Sequence, residues 1–402
     1  MNTIKNKSSI TSKSNNLLLE EIDEALEIAL FYGFTPIKHP LQKEEDLVIS
    51  KEYSNQVCLL KTNEELESCH RMGKKVCMLR TFLDGSFKSL PSPLMVCFRE
   101  NESSSAGRTQ FDSLLNLSIL GTTTSIAEAI VIKTSLAILS EKSSEPLTLE
   151  INSIGDKESL SRFDRDWANY IRKNLNLLPK SLREVAKEEP REFLRKQREE
   201  EINEEFWANM PKSLNYLTPQ SIKHFKEVLE YLEHFNIPYN LNNTLIPNKH
   251  YCQHTIFQIK NSEGTTRALG VSHQNIARKL GSRKDVPMLS VALKDERERP
   301  HKKIIVSKIR PKFFLVQFGY KAKIKSLILL EVLRKARIQL YHSLIKDKLA
   351  SQLSVAESLG FPYILIIGEK EALEDSVAVR NTETRVQELV PISHLVNYLK
   401  RI

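Results

Sequence analysis

The chain has 402 residues, 41% of them apolar, which is enough for two or three packed domains and too much for one small core. Lys and Arg outnumber Asp and Glu by 59 to 50; the net charge of +9 suits an acidic partner such as RNA, and a mildly basic solvated surface accounts for it equally well. A membrane span is excluded, because no window holds 18 uncharged apolar residues: Glu128 and Lys133 interrupt the longest candidate, 126–139.

The first 16 residues are polar, rich in Ser and Asn, and read as a flexible tail. Leu17, Leu18, Leu19, Ile22, Ala25, Leu26, Ile28 and Ala29 recur at helical spacing and predict a helix over 16–32. Gly33 ends it, and Pro40 closes a short extended segment. Strand-like text follows at 56–61 and 75–79. Cysteines stand at 58, 69, 77, 97 and 252 with no C-x-x-C pair, which reads as reduced core thiols in a cytoplasmic protein. Cys69-His70 with Cys77 matches no common zinc spacing, so no metal is expected.

A long hairpin comes next: a strand over 94–99, a polar loop over 100–107, and a second strand from 109 to 120. Arg99 and Arg108 flank its Ser/Gly loop, and guanidinium forks bind phosphate oxygens bidentately. Solvated surface arginines are the plainer reading of the same text. A helix over 125–139 leads into a strand, a turn at Gly155-Asp156 and another helix. Between 178 and 216, Lys/Arg and Glu alternate at helix-compatible spacing and predict a solvated helical arm. Thr218-Pro219 then caps a helix burying Ile222, Phe225, Val228, Leu229 and Leu232.

Past a boundary near Arg310, the text alternates: strand 313–319, helices 324–340 and 346–359, strand 361–371, a strand-turn-strand piece over 376–390, and a closing helix 392–400. That pattern is an α/β layer domain around a mixed sheet. It carries 14 Lys/Arg against 9 Asp/Glu, a net +5 that suits phosphate contact.

Several of these stretches are shared with one family. Phe98-Arg99-Glu100-Asn101-Glu102, followed by Gly107-Arg108 and Phe111, resembles the second signature motif of class II aminoacyl-tRNA synthetases. The helix before Tyr32-Gly33-Phe34, with Pro40 beyond, is similar to the first. The stretch Leu-Glu-Ile-Asn-Ser-Ile-Gly, 149–155, resembles a strand-to-helix junction peculiar to histidyl-tRNA synthetases, and the order of text over 217–260 is similar to theirs. Gln352, Ala356, Gly368–Glu371 and Val379-Arg380-Asn381 resemble the anticodon-binding domain of histidyl, threonyl, prolyl and glycyl synthetases.

The resemblance implies an α/β (α+β) fold: a class II antiparallel sheet with flanking helices over 17–310, including a charged insertion at 178–216, and an anticodon-binding-type domain over 311–402. It implies a homodimer with Pro40 at the interface, and tRNA or another RNA as partner. Arg99 is expected on the ATP α-phosphate with Glu100 or Glu102 as the acid, Arg108 in the loop, Glu296 beside an Arg297 that stacks on adenine, and Tyr251 in the amino-acid pocket.

The chain departs from the family where chemistry is expected. Pro247 stands in place of the family's catalytic Arg, and proline neither carries charge nor donates to a phosphate. Gly270–Asn275 represents the segment that closes over histidine, and Ser290 and Lys294 replace the two glycines of the third motif. Leu79–Gly85 lacks the acid that recognises the substrate amino group, leaving Asp84 as a stand-in. The implied function is a histidyl-tRNA synthetase-like protein that keeps its scaffold and RNA binding without histidine activation, with no cofactor. The alternatives are a diverged but working ligase using ATP and Mg²⁺, a synthetase-like enzyme with another substrate, and a regulatory subunit that binds an enzyme partner.

Overall fold

Asp23 decides where the first helix begins. In the computed structural model its carboxylate accepts the Leu26 amide at 3.0 Å, so α1 runs only from Glu24 to Phe31. The upstream leucines expected in that helix lie outside it: β1 (Glu21–Ile22) precedes the cap, and Leu18 bridges to Ile37. The structure describes residues 17–53, 63–101, 112–142, 145–191, 193, 202, 204–247, 252–296, 304–306, 311–342, 344–346 and 348–402. The N-terminal tail and the strand expected at 56–61 fall outside them.

After β2 (Thr35–Pro36) come α2 (Glu44–Tyr53) and α3 (Asn63–Leu83). The strand expected at 75–79 is thus helix. Its continuous apolar text, Val76 to Leu79, is at most 1% exposed, and period alone does not separate a buried helix from a buried strand. The hairpin forms as expected, with β3 (Leu94–Asn101) antiparallel to β4 (Asp112–Leu120). Its loop, 102–111, lies outside the described residues.

Next come α4 (Ser125–Lys142), β5 (Thr148–Ser153) and α5 (Lys157–Lys173). At the β5–α5 junction Gly155 takes φ +66°, where a Cβ would also sit 2.6 Å from Ser159. Asp156 caps α5 by accepting from the Ser159 amide at 2.9 Å, and those hydrogen bonds hold its pKa down at about 2 against the effect of burial.

The charged insertion contains α6 (Lys180–Glu188) and α7 (Glu204–Ala208). It is more than a solvated arm. Leu182, Ala186, Phe193, Phe206 and Met210 bury against Trp167 of α5, whose indole donates to Pro190 O at 2.9 Å. The charge pattern hid these anchors, which are scattered through a segment rich in Lys, Arg and Glu.

Then come α8 (Pro219–His234), β6 (Tyr239–Leu241), β7 (Cys252–Lys260), β8 (Thr266–His273), the short α9 (Ile276–Lys279), β9 (Met288–Glu296) and β10 (Ile304–Ile305), which pairs with β1. The main sheet has eight strands in the order β2-β3-β4-β9-β8-β7-β5-β6, antiparallel except for its two end pairs. Its back face, with Leu115, Leu117, Val291 and Phe257, joins α1, α4 and α8 in one apolar core. Gly270 belongs there because a Cβ would lie 2.2 Å from the Phe257 ring.

The C-terminal residues form β11 (Phe313–Gln317), α10 (Tyr320–Lys335), β12 (Leu340–His342), α11 (Leu349–Ser358), β13 (Tyr363–Ile367), α12 (Glu369–Leu373), β14 (Ser376–Asn381), β15 (Gln387–Pro391) and α13 (Ile392–Leu399). The sheet order is β12-β11-β13-β14-β15, with the first three parallel. The helix expected to reach Leu340 stops at Lys335, and Arg337 at φ +55° turns the chain into β12. Gln352 is a core brace: it donates to Gln317 O at 2.7 Å and accepts from Gln317 N at 3.0 Å. Helix α10 docks on the end of α1 through Glu331, which accepts from Tyr32 and lies 3.1 Å from Arg334. These bonds hold the Glu331 carboxyl at about 2 despite burial.

Candidate functional site

The resemblance puts close nucleotide approach at positions 290 and 294, so the face of the sheet that carries them is where a site belongs. Strand register identifies that face. Lys294 lies opposite Leu114, which lies opposite Glu100; Ser290 lies opposite Ser118, which lies opposite Val96. Directly opposed residues share a face, so the front presents Leu94, Val96, Phe98 and Glu100 from β3 and Met288, Ser290, Ala292 and Lys294 from β9.

Arg99 falls on the other face. It is opposite Leu115 and, through it, Leu293, and its guanidinium pairs with Asp23 at the start of α1. Both side chains are 12% exposed. The arginine expected on an α-phosphate therefore braces the hairpin against the first helix. Period-two alternation is the physical reason: a shift of one residue moves a side chain to the opposite face. Glu100, one residue on, is the acid that reaches the front, where it meets Lys74 of α3 at 2.5 Å.

The front face is covered near β3 and β4. Met72, Val76 and Leu79 of α3 join Leu94, Val96, Phe98 and Leu120 of the sheet, with Ile276 and Ala277 of α9, in one buried cluster. Beneath this cover lies a polar floor. His273 Nε2 and Ser290 Oγ are 2.9 Å apart, both residues at most 4% exposed. Burial, with Lys75 nearby, holds the His273 imidazole well below its usual range and therefore neutral. Asn116 and Ser118 are also buried on this face.

The remaining expected site residues do not assemble into one visible constellation. Arg108, Tyr251 and Arg297 lie outside the described residues. Glu296 ends β9. Pro247 is half-buried in the segment after β6, beside the buried Leu245 and Ile246. Pro40 is buried, and its carbonyl faces the Cys77 thiol at 3.4 Å; burial raises that thiol to about 11, so it is inert. Asp84 is exposed and closes a local turn by accepting from the Ser86 amide at 2.9 Å and hydroxyl at 2.6 Å.

Sequence reasoning missed a second polar cluster, behind the sheet. Glu128 of α4, 3% exposed, lies 3.2 Å from His224 of α8, and the His224 ring centroid is 5.0 Å from that of His254 on β7. Burial opposes ionisation at all three positions. The Glu128 charge still raises His224, and His224 in turn lowers Glu128, whereas burial leaves His254 lowered. His254 takes φ +57°, an irregularity between the β7 and β8 register that no sequence signal announced.

A family model described as an anticodon binding domain matches residues 316–402. The histidine–tRNA ligase of Rippkaea orientalis is 28% identical over 304 residues, covering 73% of this chain and 68% of the relative. That of Rickettsia bellii is 24% identical over 400 residues, 94% of each chain. The chain is similar to histidine–tRNA ligases over nearly its whole length, and its C-terminal residues match an anticodon binding domain. Among solved structures, apo S. aureus histidyl-tRNA synthetase matches with a TM-score of 0.48 at 18% identity, covering 100% of this chain and 98% of its own. A protein described as an ATP phosphoribosyltransferase regulatory subunit/histidyl-tRNA synthetase from Bacillus halodurans matches with 0.45 at 12%, covering 90% and 93%.

The similarity to histidine–tRNA ligases implies ATP and Mg²⁺ for an active ligase. The described residues do not fit them. The front face beside Ser290 is covered by the apolar side of α3 where a nucleotide needs backbone approach, and Arg99 lies on the other face.

Proposed function

We propose that this chain is a histidyl-tRNA synthetase-like RNA-binding protein that does not activate histidine. The observation that carries the reading is the helix α3 lying across the front of the sheet, with its apolar residues on β3 and β4. Losing one oxyanion-type donor costs about 10² to 10³ in rate. Here the family's catalytic Arg is Pro247, the second-motif Arg is committed to Asp23, and the third-motif glycines are Ser290 and Lys294.

RNA binding is assigned to the C-terminal residues. They match an anticodon binding domain and carry the net +5. We further assign a homodimer through the segment around Pro40, domains over 17–310 and 311–402, and a cytoplasmic location. Among the described residues no helix is long and apolar enough to cross a membrane.

The test pairs two assays on the full chain. Aminoacylation of total tRNA with histidine is expected to give no product, and a gel shift against the same tRNA is expected to show a complex that weakens from 50 to 200 mM salt. Histidyl-tRNA formation, or the absence of any complex at low salt, contradicts the reading.

A further inference from the structure

The turn between β8 and β9 carries Arg278, Lys279, Arg283 and Lys284 within seven residues, all exposed. It is a firm platform. Ile276 and Ala277 are at most 1% exposed beneath it, Ser282 N donates to Ala277 O at 3.0 Å, and Ser282 Oγ donates to Lys284 O at 2.6 Å.

The one acid in the turn is spent internally. Asp285 accepts the Asn275 amide at 2.9 Å with each of its oxygens and the Val286 amide at 3.0 Å. Among the described residues no carboxylate pairs with Arg278, Arg283 or Lys284. Arg278, Arg283 and Lys284 against one inward-facing carboxylate leave a local surplus of +2 on a buttressed surface.

We propose that this turn is a second RNA contact, separate from the anticodon-type domain, in which Arg278, Arg283 and Lys284 bind backbone phosphates. The proposal rests on the RNA-binding reading above. Arginine forks suit phosphate geometry, and a surface fixed before binding loses little freedom on association. It reads charge and shape and carries no base specificity.

The experiment is tRNA binding by the full chain at several salt concentrations, comparing the natural protein with the triple variant Arg278→Glu, Arg283→Glu, Lys284→Glu. All three side chains are exposed, so the variant is expected to melt at the natural temperature, which a thermal scan checks. The variant is expected to bind about tenfold more weakly or worse, with a log–log salt slope shallower by about 2 to 3, as for three lost phosphate contacts. Unchanged affinity and slope overturn the second contact while leaving RNA binding intact. If the natural protein binds no tRNA, both readings fail together. Tighter binding of poly-glutamate than of tRNA at equal charge overturns the assignment to RNA.

Discussion

The two faces of the eight-stranded sheet have diverged in character. Behind it, Leu115, Leu117, Val291, Phe257 and Ile259 form one continuous apolar layer with α1, α4 and α8, and α10 extends it through Leu327 and Leu330. In front, Asn116, Ser118, His273 and Ser290 form a polar floor under the apolar side of α3. The back reads as scaffold. The front has a polar floor and the cover of a core, and the proposed loss of histidine activation concerns that face alone.

The largest effect should come from the back. Leu117→Ala, at a fully buried position, is expected to lower unfolding stability by about 3 to 4 kcal/mol in denaturant melts. Arg99→Ala should follow at about 3 kcal/mol, because the Asp23 carboxylate, 12% exposed, would lose its guanidinium. A variant that folds normally but loses nucleotide binding would instead return Arg99 to an active site.

Val76→Ala tests the front. A cost of about 2 kcal/mol is expected if α3 is integral to that face, and a cost under about 0.5 kcal/mol would detach it.

The buried acid–imidazole cluster sharpens the comparison through pH. The Glu128 pKa is lowered from its usual 4.5, so its contribution is present above that value and fades as pH falls. His224 is raised from 6.5, so its contribution is present below that value and is lost as pH climbs through the raised one. Relative to Glu128→Gln, the natural protein should gain most between pH 4.5 and 6.5, by about 2 kcal/mol, with the gap in melting temperature closing on both sides. A gap independent of pH would show that the two groups are not an ion pair. The smallest effect is expected from Lys74→Ala, about 1 kcal/mol, since Lys74 is 28% exposed in its pair with Glu100.

The hairpin, the turn at Gly155-Asp156 and the helix opened by Thr218-Pro219 were legible because each is set by local chemistry: alternation, a turn-forming glycine, a proline in the first turn. The family was legible in the 149–155 junction. What was not legible depended on distant partners. Val76 to Leu79 looked like a strand because burial makes any apolar run continuous. Arg99 looked like a phosphate ligand because its sequence context does not say which face of β3 it occupies or that Asp23, 76 residues away, waits there. Phe193 and Phe206 were masked by their charged neighbours.

Histidine-dependent exchange of pyrophosphate into ATP tests the central claim most directly. The account predicts no exchange above the rate without amino acid, for histidine as for the other amino acids. Exchange that rises and saturates with histidine would show that the front of the sheet still admits ATP and performs the reaction, contradicting it.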